Sequence, residues 1–260
     1  MAQAEMTFWD HLDALRGVLF RIFIVVAVLG IAAFMGMPWI FGNIIMAPCH
    51  PDFVTYRLFD TIAGTDTSSF SLDVVSLELA SQFFVHMSAS CWVAFVVAFP
   101  VILYLLWGFV SPGLYEHEKR GITGAFIFGN IMFYLGMAVG YFLVFPLAVR
   151  FLGEYRLSEA IRPVVSLDSY MDNFFTILLM MGAVFELPLL AWILGKMGLL
   201  TRGFFSRYRR HAIVVLLIVA ALITPTGDPF TLFLVFIPIY ALWEGSARLV
   251  PAGTPDNHED

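Results

Sequence analysis

Long apolar stretches separated by short polar segments dominate the pattern of this chain. Two of them, residues 83–109 and 121–149, contain no Asp, Glu, Lys or Arg, and each exceeds the roughly 20 residues that a helix needs to cross a bilayer. The pattern predicts six spanning helices, at about 17–38, 83–109, 121–149, 173–195, 212–223 and 230–242. The last two are short, since at 1.5 Å per residue each spans only about 20 Å.

Composition indicates a helical membrane protein rather than a soluble domain. Hydrophobic residues make up 60% of the chain and charged residues 13%, and the mean hydropathy is +0.85. The apolar runs do not alternate as the strands of a membrane barrel do. We predict an all-α polytopic fold in the lipid bilayer, with one six-helix transmembrane domain at 1–247 and a disordered cytoplasmic tail at 248–260. The net charge of -6 lies mostly outside the membrane, and no nucleic-acid partner is expected.

The segments between the predicted helices differ in character. We interpret 1–16 as a polar leader, 39–82 as an interfacial cap, 150–172 as a polar connector and 196–211 as a basic loop. The shortness of the last two helices has two explanations. Either the bilayer thins or partner proteins cover the mismatch, or the helices extend into the interface with Tyr208 and Trp243 as anchors.

Basic residues predict the orientation of the chain, because cytoplasmic loops carry an excess of Lys and Arg. Ten of them fall on the side that holds both termini: Arg16, Arg21, Lys119, Arg120, Lys196, Arg202, Arg207, Arg209, Arg210 and Arg248. Four fall on the other side: Arg57, Arg150, Arg156 and Arg162. The sequence therefore predicts that both termini are cytoplasmic.

A ten-residue polar segment, SPGLYEHEKR at 111–120, separates the two uncharged runs. Its Ser-Pro-Gly start breaks the incoming helix, because proline lacks an N–H and glycine permits a sharp turn. The following residues combine an aromatic ring, an imidazole and charges of both signs, more than a connector needs. We interpret this segment as a loop that carries a binding site.

Among the carboxylates on the predicted cytoplasmic side, Asp13, Glu116 and Glu118 lie close to basic residues. One interpretation is a solvated cluster that pairs with Arg16, Lys119 and Arg120. The other is a site for a cationic ligand, because a carboxylate accepts a guanidinium in a bidentate fork. The sequence alone leaves both open.

Glu186 is the one carboxylate in the middle of a predicted spanning helix. Such a group is costly unless it is paired, protonated or exposed to water, so it indicates a functional site. The alternative is a polar group that a neighbouring helix satisfies and that fixes packing. Pro188 frees a backbone carbonyl nearby, which favours a polar pocket.

The sequence carries no pattern for a cofactor, a metal or a catalytic residue. Cys49 and Cys91 have no metal or redox spacing, and we do not expect them to pair. An intramembrane protease would need a nucleophile and a base, but His86 is the only histidine within a predicted span. A proton-coupled transporter of small solutes, with Glu186 as its proton site, is the main rival hypothesis, although no repeated halves or pair of broken helices support it.

Several motifs together resemble the TatC family, the signal-receptor subunit of twin-arginine protein translocation. They are DHLDALR (10–16), the APC segment at Pro48, PVILYLLWGFVSPGLYEHEKR (100–120), YFLVFPLA (141–148), VFELP (184–188), RYRRHAIV (207–214) and ITPTGDPF (223–230). The resemblance covers nearly the whole chain, and six helices with two short final ones also match.

The resemblance implies a non-enzymatic receptor in the bacterial inner membrane. Such a receptor binds twin-arginine signal peptides of folded proteins on its cytoplasmic face. It works in an oligomeric complex with TatB-like and TatA-like single-span proteins, driven by the proton-motive force. The residues implied for signal-peptide binding are Glu118, Glu116, Asp13, Arg16 and His11, and those implied for an intramembrane or partner site are Glu186, Asp228 and Pro48.

Two departures from the family pattern stand out. The family's N-terminal motif is usually HLxELR, but its glutamate position is Ala14 here, with Asp13 one position earlier. One position on a helix is a rotation of about 100°. The family's last turn usually reads TPPD before a helix with a glutamine, whereas here it is TPTGD with Leu232 at the glutamine position.

Overall fold

The computed structural model describes residues 8–63, 70–110, 116–158, 164–224 and 226–250. The α-helices within these ranges are α1 Phe8–Ile40, α2 Val54–Ala63, α3 Ser81–Val110, α4 Glu116–Val139, α5 Phe145–Glu154, α6 Leu167–Val184, α7 Leu187–Lys196, α8 Arg202–Arg207, α9 Arg209–Ile223 and α10 Pro229–Leu249. Short turns of other helix types lie at Phe41–Ile45, Ala47–Cys49 and Gly140–Val144. Two short strands, β1 Val74–Val75 and β2 Val165–Ser166, pair in parallel.

Five helical stretches of the described residues are long and apolar enough to cross a membrane: Leu12–Thr61, Ser81–Phe109, Gly124–Glu154, Leu167–Lys196 and Pro229–Leu249. The predicted largely helical membrane fold is therefore confirmed. Helix α9 has 15 residues, which gives about 22 Å, less than the roughly 30 Å hydrocarbon core.

The prediction of a short last helix at 230–242 is wrong, because α10 runs for 21 residues to Leu249. The predicted helix stopped at Leu242, just before Glu244. In the structure Arg209 pairs with that carboxylate at 2.8 Å, and the Tyr240 hydroxyl donates to it at 3.0 Å. With its charge paired, Glu244 is accommodated inside the helix.

Three helices begin earlier than the sequence predicted. Helix α1 starts at Phe8 inside the predicted leader, α4 starts at Glu116 inside the predicted loop, and α6 starts at Leu167 inside the predicted connector. Ser166 caps α6 by accepting the Ser169 amide at 3.3 Å. Polar residues mark where a helix leaves the membrane, but they do not end the helix. The helix can continue in water, because its backbone hydrogen bonds do not depend on an apolar surface.

The chain packs as two compact units, which we describe separately; the single domain at 1–247 stays a prediction. Unit 1 comprises the described residues up to 41 and 80–130, and unit 2 comprises 42–79 and those from 131 onwards. The predicted tail falls mainly on residues 251–260, which lie outside the described residues. Cys49 and Cys91 are free, as predicted.

In unit 1, His86 of α3 supplies a hydrogen-bond donor that Pro38 of α1 cannot provide. Pro38 has no N–H, so the carbonyl of Phe34 four residues earlier loses its helical donor. The His86 Nε2 lies 2.9 Å from this oxygen, and the imidazole stacks on the Phe34 ring with centroids 4.0 Å apart. The bond identifies Nε2 as the protonated nitrogen and joins the two helices.

We expect His86→Ala to lower the free energy of unfolding by about 1 kcal/mol, because the Phe34 carbonyl loses its donor. His86→Gln keeps a side-chain donor and is the matched control. Thermal unfolding of the purified protein in detergent measures both. Equal stability of the two variants would contradict the compensating role of His86.

In unit 2, tyrosine hydroxyls hold the chain that follows α1. Tyr141 donates to the carbonyl of Ile44 at 2.8 Å, and Tyr170 donates to that of Ile45 at 2.6 Å. These oxygens lie where a helix end leaves its carbonyls without intrahelical donors. Within unit 2, the aromatic side chains thus hold the carbonyls of Ile44 and Ile45 by hydrogen bonds that reach across the sequence.

The segment predicted as an interfacial cap forms a small core within unit 2. Phe53, Tyr56 and Phe70 are buried together, and the rings of Tyr56 and Phe70 pack edge to face at 5.3 Å. The Thr55 hydroxyl donates to the carbonyl of Phe142, which Pro146 leaves without its helical donor. Thr55, from the segment predicted as the interfacial cap, therefore supplies the donor that this helix lacks at Phe142.

The closest helix approach in unit 2 that we identify is between α4 and α6. A Cβ added at Gly136 would lie 2.5 Å from the Met181 carbonyl oxygen, and one at Gly182 would lie 2.8 Å from the Phe133 ring. Only glycine fits the first position, because backbone cannot move aside like a side chain. Small residues allow spanning helices to pack closely in this way.

Candidate functional site

The first turns of α1 carry residues expected to bind a signal peptide. Asp13 and Arg16 are exposed, and within the described part of the chain neither forms an ion pair. Ala14, at the position of the family's glutamate, is also exposed. The side chain of His11 lies outside the described residues. The helix therefore presents an available carboxylate and guanidinium to solvent.

Glu116 and Glu118 lie in the first turn of α4 rather than in a loop. Their side chains lie outside the described residues. Carboxylates are favourable at this end of a helix, because the macrodipole places partial positive charge there. Helical positions two apart do not face each other, whereas a loop could have brought the two positions together.

Glu186 occupies a break between α6 and α7 rather than the middle of a continuous helix at 173–195, as the sequence predicted. Pro188 follows at the start of α7 and cannot donate to the carbonyl of Val184. The side chain is half-buried. Its Oε1 is enclosed by protein and, among the described residues, has no hydrogen-bond partner.

An unpartnered buried carboxylate oxygen is unfavourable, because burial removes its hydrogen bonds to water. The Glu186 amide is not free to act as a donor, since it bonds to the carbonyl of Ala183. Among the described residues, this acceptor is therefore left unsatisfied.

Asp228 caps the N-terminus of α10. Its Oδ1 accepts the Thr231 amide at 2.7 Å, and its Oδ2 accepts the Thr226 hydroxyl at 2.7 Å. Gly227 turns the chain into this cap at a φ of 61°, a conformation that glycine adopts readily. Partial burial by itself would raise the pKa of Asp228, but the hydrogen bonds from Thr231 and Thr226 hold that pKa below its ordinary value.

We expect Asp228→Ala to lower the free energy of unfolding by about 1 kcal/mol through loss of the cap, whereas Asp228→Asn retains it. Because the folded pKa is lowered, the ionised cap stabilises fully above the ordinary carboxyl pKa, and this part is lost as the pH falls through the folded value. Unfolding midpoints of the three proteins over an acid titration measure both effects. A wild-type midpoint that follows that of Asp228→Asn at every pH would contradict the pH dependence.

Pro48, expected at a partner site, is buried in the turn Ala47–Cys49. Its carbonyl accepts the Tyr56 hydroxyl at 2.8 Å, and the same hydroxyl lies 3.0 Å from the carbonyl of Pro146. Through the Tyr56 hydroxyl, Pro48 therefore helps to hold the predicted interfacial segment against α5.

Sequence reasoning missed the residues that complete broken helices. Among them are His86, Thr55 and the tyrosines of unit 2. Pro38 and Pro146 give a signal, because each proline marks an unpaired carbonyl four residues earlier. The identity of the donor could not be inferred, since it lies more than 50 residues away in both cases.

Comparison with known proteins gives consistent results. A family model described as Sec-independent protein translocase protein (TatC) matches residues 10–238. The chain is 30% identical to the Sec-independent protein translocase protein TatC of Blattabacterium sp. subsp. Periplaneta americana over 93% of this chain and 94% of the relative. It is 32% identical to the protein of that name from Koribacter versatilis over 94% and 86%. A crystal structure of the twin arginine translocase receptor TatC in DDM matches with a TM-score of 0.73 and 28% identity, over 93% of this chain and 99% of that one.

Proposed function

The chain belongs to the TatC family, and from that premise we propose that residues near the starts of α1 and α4 bind the paired arginines of a signal peptide. The protein is a multi-pass protein of the bacterial inner membrane and a core subunit of the twin-arginine translocase. The observation that carries the proposal is the match to a solved receptor over 99% of that receptor's chain.

The proposed binding residues are Glu118 as the principal guanidinium partner, with Asp13, Glu116, Arg16 and His11 around it. Exposure of Asp13 and Arg16 supports this assignment, as does the placement of Glu118 in the first turn of α4. A carboxylate holds a guanidinium through two parallel hydrogen bonds, which a lysine ammonium cannot reproduce. This difference accounts for selection of arginine over lysine.

The proposed topology has six spans with both termini in the cytoplasm. The excess of basic residues on the side of the termini supports it, and α9 supplies the sixth span in addition to the five long stretches. The short α9 requires a locally thinned bilayer or a covering partner. TatB-like and TatA-like single-span proteins are the proposed partners in an oligomeric, non-enzymatic complex driven by the proton-motive force.

Glu186 is the proposed polar contact for such a partner within the membrane. The partly exposed side chain supports the assignment, and a change of its rotamer would bring the unpartnered Oε1 to a donor on a partner helix and remove an unfavourable burial. Asp228 and Pro48 also belong to the proposed partner region. Asp228 caps α10, and Pro48 holds the predicted interfacial segment in place. Both residues would therefore shape the partner surface rather than contact the partner directly.

The proposal is tested by peptide binding to the purified protein. A twin-arginine signal peptide should bind and its twin-lysine version should not, measured by fluorescence anisotropy in detergent. Equal binding of the two peptides would overturn the proposed recognition.

Ala14 stands where the family usually has a glutamate, so the second arginine of the signal peptide needs another anionic partner in this chain. We expect Asp13→Asn to weaken binding by under about 1 kcal/mol, as exposed pairs usually do. Ala14→Glu should strengthen binding, most clearly at low salt, where screening is weak. Since both positions are exposed, neither change disturbs packing.

The double variant Asp13→Asn with Ala14→Glu decides how this receptor holds the second arginine. Binding at or above wild type means that Asp13 substitutes for the family's glutamate from the neighbouring position. Binding below wild type means that Asp13 contributes in a geometry of its own. The same anisotropy assay, run at low and high salt, measures both outcomes.

A further inference from the structure

A basic surface forms where α8 and the start of α9 pack against the end of α10. Phe205 of α8 and Val250 after α10 are buried in one cluster, with Trp243 packed against it. Around this cluster lie five arginines: Arg202, Arg207, Arg209, Arg210 and Arg248. We call this region, residues 202–210 and 243–250, the basic corner.

Two of the five guanidinium groups are engaged inside the protein. Arg202 donates to the carbonyls of Val250 at 2.9 Å and Arg248 at 3.2 Å, which closes the end of α10. Arg209 pairs with Glu244 at 2.8 Å. The one carboxylate in the basic corner is therefore already occupied.

The other three cations, Arg207, Arg210 and Arg248, are exposed. Within the described part of the chain none of their side chains forms an ion pair, and the first turn of α9 contains no acidic residue. The basic corner thus has three positive charges without an anion to balance them. Arg207 and Arg210 lie on either side of Tyr208, and Arg248 lies in the last turn of α10.

Aromatic rings lie beside these charges. Phe204 packs on Tyr208 with ring centroids 4.7 Å apart and lies 6.4 Å from Trp243. The Arg207 guanidinium lies 6.0 Å from the centre of the Tyr208 ring. Tyrosine and tryptophan next to exposed cations are typical of the level of the lipid headgroups.

We propose that the basic corner binds the phosphate of an anionic phospholipid headgroup through Arg207, Arg210 and Arg248. The proposal rests on the topology given under the proposed function, which places these residues at the cytoplasmic membrane surface. A lipid fits better than an acidic soluble partner, because α10 is a spanning helix and the aromatic side chains need an apolar environment next to the charges. Basic groups at helix ends on the cytoplasmic side bind anionic headgroups in this way.

The experiment is lipid retention by the full chain in native mass spectrometry, with phosphatidylglycerol and phosphatidylcholine as probes. Each basic residue near a membrane surface strengthens the attraction by about fivefold. We therefore expect the double variant Arg207→Gln/Arg210→Gln to lower phosphatidylglycerol affinity at least about tenfold, with phosphatidylcholine unaffected. The control Arg57→Gln/Arg156→Gln removes the same charge from the opposite predicted side and should retain wild-type lipid binding.

The proposal would be overturned by unchanged phosphatidylglycerol binding in the double variant, by equal retention of both lipids, or by displacement of the lipid by inorganic phosphate at matched concentration. A truncation after Val250 removes the acidic residues Asp256, Glu259 and Asp260. Lipid binding that begins only after this truncation would show that the tail occupies the basic corner, which also overturns it.

Binding of the twin-arginine peptide to the same double variant separates this proposal from the proposed function. Retained peptide binding shows that the variant is folded and that lipid loss is specific. If the wild type binds phosphatidylglycerol through these arginines but does not select twin-arginine peptides, the receptor proposal fails and the lipid site stands.

Discussion

Replacing Glu118 by glutamine should lower affinity for a twin-arginine signal peptide by about ten- to a hundredfold. The substitution keeps the size of the side chain but removes its charge and replaces one acceptor oxygen by an NH2 donor, and a hydrogen bond to a charged group contributes about 1.5–3 kcal/mol. Glu118 lies in the first turn of α4, outside the apolar stretch that crosses the membrane. Fluorescence anisotropy with a labelled peptide measures the change.

Glu116→Gln is the matched control, since it removes the same charge two positions away on the same helix. Positions two apart do not face each other, so we expect a smaller loss than for Glu118→Gln. The twin-lysine peptide should bind both variants and the wild type equally weakly. Unchanged twin-arginine binding by Glu118→Gln would refute the assignment of Glu118.

Glu186→Ala should reduce export at least about tenfold, corresponding to about 1.4 kcal/mol, while signal-peptide binding changes little. The buried Oε1 of Glu186 has no partner among the described residues, so its removal eliminates an unfavourable group from the resting protein. We therefore expect the variant to be as stable as wild type or more so, with its function impaired. Residues kept at some loss of stability are typical of functional sites.

Export by membrane vesicles and peptide binding by purified protein, measured on the same variants, test this separation. Glu186→Gln retains hydrogen-bonding capacity but cannot release a proton. Export by Glu186→Gln close to wild type indicates a hydrogen-bonded partner contact, whereas loss equal to that of Glu186→Ala indicates a need for the carboxyl proton. Equal loss of export and peptide binding in Glu186→Ala would contradict the proposed partner role.

The local sequence determined the fold class and most of the spanning segments. A stretch of more than 20 apolar residues has few alternatives to a membrane helix, because each unpaired backbone group in hydrocarbon is costly. The cost of a charge in hydrocarbon likewise marks Glu186 as an unusual group from its position in the sequence alone. The motif at 100–120 was specific enough to indicate the family.

The limits of the helices depended on contacts that no short stretch contains. The predicted first and third helices started too late, at 17 and 121, because the residues before them are polar. In the structure α1 begins at Phe8 and α4 at Glu116. The predicted last helix ended too early, at 242, whereas α10 continues past Glu244, whose partner Arg209 lies 35 residues away. Local hydrophobicity measures the preference for the membrane, and it does not measure where a helix stops.

The tertiary structure alone decided how interrupted backbone is satisfied. The prolines at 38 and 146 showed from sequence which carbonyls lose a helical donor. Only the fold brings His86 to Phe34 across 52 residues and Thr55 to Phe142 across 87. Likewise Glu186 became a group at a helix break with an unpartnered oxygen, since packing around a site is set by residues distant in sequence.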